Sequence, residues 1–216
     1  QDTLLLAETV QKSILCTDPF FVDDVEIYFD YHSYQHVGGD VFDAFPLPDG
    51  RLFLYIGDVA GHGLGPALVA SLLKVAMEDV GGNFSDQGLH VVCKEVVHRF
   101  LHLIKHGEIY ATMLMAVLDP ETGALDMMNC GHPKPLIMDA QGVPRTMNLS
   151  RGCIPVGWAP ANKMALTESS VERVMLRDGD RVVFYTDGLI ECRGPDPERL
   201  RPPEFLAPFF GAALAD

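Results

Sequence analysis

Basic residues are scarce in this chain: 16 Lys and Arg stand against 30 Asp and Glu, for a formal charge of −14. Contacts to a phosphate backbone need Lys and Arg, so the balance argues against nucleic acid as a partner. The five cysteines (Cys16, Cys93, Cys130, Cys153, Cys192) include no Cys-x-x-Cys pair. That excludes a zinc-ribbon pattern and suggests reduced thiols in a cytoplasmic protein rather than a disulfide frame. No cysteine sits in a phosphate-cradling Cys-x₅-Arg loop, so phospho-cysteine chemistry is not suggested. Neither a signal peptide nor an apolar run long enough to cross a bilayer is present. Regular strand–helix alternation is also missing, so a doubly wound parallel sheet is not expected.

What remains is a chain of 216 residues, 48% hydrophobic, enough to bury one full core. Leu6, Val10 and Ile14 recur every fourth residue and predict a helix over Thr3–Cys16. It packs on its own domain or ends a linker from an upstream sensor. Residues 1–18 are accordingly read as a helical linker piece and 19–216 as the main domain. Alternation from Val25 to Tyr31 predicts a half-buried strand. A hairpin follows: Asp40 to Phe45, a turn at Pro48-Asp49-Gly50, and a return through Arg51 to Ile56. Helices are expected from Leu64 to the Gly81-Gly82 pair and from Gln87 to Lys105. His90, His98, His102 and His106 lie on the second, without carboxylate or cysteine company, and read as a solvated face. Strands then dominate: Ala111–Leu118, Ala124–Asn129, Leu136–Met138, Arg145–Leu149, Ala165–Ser170, Val171–Leu176 and Arg181–Thr186. The order fits antiparallel sheets with helices on their outer faces.

Three acidic corners carry the chemical interest: Val37-Gly38-Gly39-Asp40-Val41-Phe42-Asp43, Gly57-Asp58-Val59-Ala60-Gly61-His62-Gly63 and Tyr185-Thr186-Asp187-Gly188. Asp58 and Asp187 each follow an apolar strand, where a glycine lets the backbone turn. Asp40 opens a strand after two glycines. Most Asp-Gly pairs are turns, and Asp49-Gly50 and Asp178-Gly179 read so. At the edge of a strand, however, a carboxylate is held rigidly and faces outward, as a preorganised ligand must. Carboxylates without thiolates select Mg²⁺ or Mn²⁺. Two such ions about 3.5–4 Å apart can share a carboxylate and a water.

Together with Asn129-Cys130-Gly131-His132-Pro133, these motifs in this order resemble the SpoIIE-like (RsbU-like) branch of the PPM, or type 2C, metal-dependent serine/threonine protein phosphatases. The likeness runs from about Leu6 to Glu191. It implies an α+β fold, a two-layer antiparallel β-sandwich flanked by helices, with two Mn²⁺ or Mg²⁺ ions at one end. By the resemblance Asp58 bridges both ions, the Val59 carbonyl binds the second, and Asp187 holds the first. Asp40 acts directly or through water. Asp43 would face away from Asp40 in a regular strand, so its inclusion needs a bulge. His62 is placed to serve as general acid, or to support its turn.

The family pattern usually closes with a further strand preceded by an Asp-Asp or Asp-Asn pair. This sequence stops at Leu214-Ala215-Asp216 without one, and Asp196 and Asp216 are the only candidates for that aspartate. The expectation is therefore a phosphatase domain that lacks its C-terminal strand, through truncation or real loss. The implied substrate is a phosphorylated anti-sigma-factor antagonist in a partner-switching pathway. The N-terminal helix could join two copies as a homodimer. The rival readings are a catalytically weak or inactive module that binds a regulatory partner, and a hydrolase of small phosphoesters.

Overall fold

The computed structural model describes residues 2–15, 18–33, 36–83, 88–104, 109–145, 152–160, 163–164 and 166–191. The chain opens with helix α1 (Asp2–Ile14), then a short hairpin of β1 (Phe20–Val22) and β2 (Val25–Ile27). The main hairpin is β3 (Asp40–Pro46) and β4 (Leu52–Val59). Helices α2 (Leu64–Asn83) and α3 (Leu89–Leu103) follow. Then come β5 (Ala111–Asp119), β6 (Ala124–Cys130), β7 (Leu136–Met138), β8 (Pro144–Arg145), β9 (Glu172–Met175), β10 (Arg181–Val183) and the short α4 (Asp187–Glu191).

A five-stranded antiparallel sheet in the order β3-β4-β5-β6-β9 forms the frame, and β10-β7-β8 form a three-stranded antiparallel sheet. The central strands β4 and β5 are buried along almost their whole length, which requires cover on both faces. Helices α2 and α3 supply one cover, α2 over β3 and β4 and α3 over β5 and β6. Helix α3 turns Val92, Cys93, Val96, Val97 and Phe100 inward at helical spacing. On the other side, Val182 and Phe184 pack against the main core, whereas Leu136, Met138 and Tyr185 gather with Val183 in a second cluster. The fold is thus α+β with antiparallel sheets and helices.

Several sequence expectations shift. The strand expected over Val25–Tyr31 keeps ladder pairing only to Ile27; beyond it Phe29 and Tyr31 pack as rings against Phe42. Ala165–Ser170 is not a strand where it is described: Glu168–Ser170 form a 3₁₀ turn closed by the Ser170 N–H on the Thr167 carbonyl. The last strand stops at Val183. Arg145 ends β8, and residues 146–150 lie outside the described residues, as do Cys16, His106, Asp196 and Asp216.

Candidate active site

Strand β4 runs three residues past its apolar stretch, because Gly57, Asp58 and Val59 pair with Met113, Thr112 and Ala111 of β5. Asp58 therefore sits within the sheet rather than after it. On its other side the β3–β4 register sets Asp40 opposite Asp58. Directly opposed residues share a face, so the two carboxylates emerge together. The glycines before Asp40 make this junction possible. A Cβ on Gly39 would stand 2.5 Å from the Val59 carbonyl oxygen and 3.1 Å from Asp58 Oδ1. The Gly39 carbonyl accepts the Val59 N–H at 3.1 Å. Gly38 is gripped from α1: the buried Gln11 amide donates to the Gly38 carbonyl at 2.7 Å and accepts its N–H at 3.1 Å.

The third corner closes on the first. The Thr186 hydroxyl hydrogen-bonds the Asp40 carboxylate, and the charge of Asp187 reaches it. Burial is the main force on Asp40; with the Asp187 charge it pushes the group up to about 6, against the Thr186 bond. Asp187 itself is exposed, as the first residue of α4. Two carboxylates thus face each other at one sheet end, with a third close enough to raise the pKa of one of them.

Asp43 does not join them. The β3–β4 pairing is regular from Asp40↔Asp58 to Pro46↔Leu52, without a bulge, so Asp43 points to the opposite face. There it is buried and makes an ion pair with the buried Lys74 of α2. This corrects its assignment as a metal ligand: its charge is already neutralised beneath the helix. His62 lies exposed on the loop between Val59 and α2, flanked by Gly61 and Gly63, both at positive φ.

Behind Asp58 stands a polar chain that the sequence motifs contain only in part. Thr112, opposite Asp58, shares a 2.8 Å hydrogen bond with His132 Nδ1. Asn129 brackets His132 with two further bonds of 2.8 Å, donating to its carbonyl and accepting its N–H. Burial pushes His132 down to about 4, keeping the imidazole neutral, and the Tyr185 backbone counteracts in part. The tie runs from Asp58's neighbour toward the segment that carries Thr186 and Asp187. His132 and Thr186 lie within the ordered sequence motifs; Thr112 carries no sequence signal, and only the strand register places it here.

The donors fit a hard cation in kind: carboxylate oxygens, with a backbone carbonyl from Val59 beside Gly39. Among the described residues, no three Asp, Glu, His or Cys side chains stand together as a group that could hold a metal ion. A set of one or two carboxylates suits Mg²⁺, which keeps several waters and takes substrate phosphate as further ligand.

A family model described as Stage II sporulation protein E (SpoIIE) matches residues 48–213. The chain belongs to this family. It sits in the SpoIIE/RsbU-like branch of the PPM serine/threonine phosphatases. Asp58, His132 and Asp187 fall inside the matched segment, and Asp40 precedes it. The phosphoserine phosphatase RsbP of Bacillus subtilis is 25% identical over 189 residues, 87% of this chain and 45% of that protein. Protein IcfG of Synechocystis is 29% identical over 188 residues, 76% of this chain and 28% of that protein. The crystal structure of the RsbU and RsbW domains of Rv1364c from Mycobacterium tuberculosis matches with a TM-score of 0.65 and 30% identity. That match covers 84% of this chain and 47% of the other. The chain spans less than half the length of these relatives. Among the described residues, no helix is long and apolar enough to cross a membrane.

Proposed function

We propose that this domain is a Mn²⁺- or Mg²⁺-dependent phosphatase that hydrolyses phosphoserine or phosphothreonine on a protein. The observation that carries the reading is the facing pair of Asp40 and Asp58, with Asp187 close enough to raise Asp40. Like charges placed directly opposite destabilise a sheet, and a cation between them removes that cost. Asp40, Asp58, Asp187 and the Val59 carbonyl would hold two ions. When bound, the ions supply a Lewis-acid clamp for a phosphoryl group. Thr186 orients Asp40 through its hydroxyl. Thr112, held by His132, buttresses the sheet position opposite Asp58. His62, exposed beside Val59, would donate a proton to the departing serine oxygen.

The substrate is proposed to be a phosphorylated anti-sigma-factor antagonist. Support comes from the likeness to a phosphoserine phosphatase, RsbP, and to a protein that carries RsbU and RsbW domains on one chain. Phosphate release from a phosphoserine protein, dependent on added Mn²⁺, tests the reading. Release that is indifferent to metal contradicts it. A module that binds a regulatory partner without turnover is the second reading, favoured by the open ligand set among the described residues. Calorimetry separates the two: two Mn²⁺ ions per chain support the enzyme, and one or none supports the module.

Residues 1–18 would act as the coupling element between this domain and an upstream one, gripping Gly38 through Gln11. Leu4, Leu5, Leu6 and Val10 leave an exposed apolar stripe on α1, suited to a second copy. Sedimentation that shows a monomer at micromolar concentration would rule out that homodimer.

A further inference from the structure

Three cysteines gather at a place that phosphate-ester hydrolysis does not use. Cys130 ends β6, and Cys153 pairs with it in an isolated parallel bridge. The Cys153 N–H donates to the Asn129 carbonyl at 2.7 Å, which fixes the register. Neighbouring strands lie about 4.8 Å apart, within the Cα separation of about 4.4–6.8 Å that a disulfide spans. The side chains agree with the backbone, since the two thiols hydrogen-bond to each other. Cys130 is fully buried, whereas Cys153 is only partly buried, packed against the edge of the core. The bond from Cys130 holds the Cys153 thiol below its usual range, with help from Ser170 and against burial. The same bond, with burial, holds Cys130 well above it. The more exposed sulfur is thus also the more readily ionised, as an attacking thiol should be. Cys93, buried on α3, lies within electrostatic reach of both.

We propose that Cys130 and Cys153 are a peroxide-reactive thiol pair that closes to a disulfide. The Cys153 thiolate attacks one oxygen of hydrogen peroxide and breaks the O–O bond. The products are a sulfenic acid and hydroxide, which takes up the proton released from Cys153. Cys130 sulfur then attacks Cys153 sulfur; the S–O bond breaks and the oxygen leaves as water with the Cys130 proton. Two thiols and one peroxide become one disulfide and two waters, with two electrons passing from sulfur to peroxide. Closure ties the Cys153 segment to the end of β6, two residues before His132.

Peptide mapping of the whole chain after hydrogen peroxide treatment, under non-reducing conditions, tests this. The expected product is a peptide joining Cys130 to Cys153, lost again on treatment with dithiothreitol. The melting temperature of the oxidised protein should rise by roughly 7–14 °C, as closing a loop of this length by a disulfide implies. Cys153→Ser should abolish the cross-link, and Cys93→Ser should leave it intact. A link from Cys93 instead, or Cys153 converted to sulfinic acid with Cys130 still reduced, would overturn the assignment. Should a serine variant fail to fold, the wild-type peptide map decides alone.

Discussion

Asp40 and Asp58 face each other across β3 and β4, two carboxylates on one face of a sheet where a matched pair would stabilise. Like charges placed directly opposite are destabilising in a sheet, and here they add to the Asp187 charge that already raises Asp40; metal binding would relieve both. Asp58→Asn should therefore raise the stability of the metal-free protein by roughly 0.5–1 kcal/mol, while removing Mn²⁺ binding. Denaturant unfolding in a chelator, beside calorimetry with Mn²⁺, measures both. A metal-free Asp58→Asn protein that is less stable than wild type would argue against repulsion at this pair.

The buried ion pair of Lys74 and Asp43 gives a second prediction. Lys74→Met leaves a buried carboxylate without its partner and should cost about 3–5 kcal/mol. Combining it with Asp43→Leu should recover most of that loss, since an apolar pair of similar volume avoids the desolvation penalty. Asp43→Asn should leave Mn²⁺ affinity at the wild-type value. A large loss of affinity in that variant would return Asp43 to the metal site.

His132 sets a pH dependence. Its folded pKa of about 4 lies below the unfolded 6.5, so the unfolded chain binds a proton that the native imidazole refuses. Its contribution is complete above about pH 6.5 and is lost as pH falls toward 4. The total is about 3 kcal/mol at most. His132→Gln should remove the rise with pH and leave the opposing Asp40 effect, so that stability declines as pH rises over that window. Asp40 acts in the opposite sense: its folded pKa of about 6 exceeds 3.8, so its contribution declines as pH rises between those values. The two effects oppose one another in wild type, so the single variants must be compared over the same pH range. An unchanged slope in His132→Gln would contradict the buried neutral state.

Much of this is legible in the sequence. The turn at Pro48-Asp49-Gly50 and the start of α2 at Leu64 follow from local chemistry: an Asp-Gly turn and a helical apolar period. The ordered motifs named the family. Other features depend on contacts distant in sequence. Nothing in Gly57-Asp58-Val59 says that the strand continues; pairing with Thr112 and Ala111 of β5 decides it. The face of Asp43 followed from parity, but its partner Lys74, 31 residues on, did not. Ala165–Ser170 has strand-like residues yet ends in a turn closed by its own backbone, with no ladder partner reaching Glu168–Ser170. Thr112 is one threonine in an apolar run and gains meaning only beside Asp58 and His132.

The most direct test of the two-metal reading is phosphate release from a phosphoserine protein by wild type and Asp58→Asn, across a range of Mn²⁺ concentrations. The account predicts release by wild type that rises with Mn²⁺ and saturates, and a loss on the order of 100-fold in the variant. Equal rates for the two proteins, or release unaffected by a chelator, would contradict it.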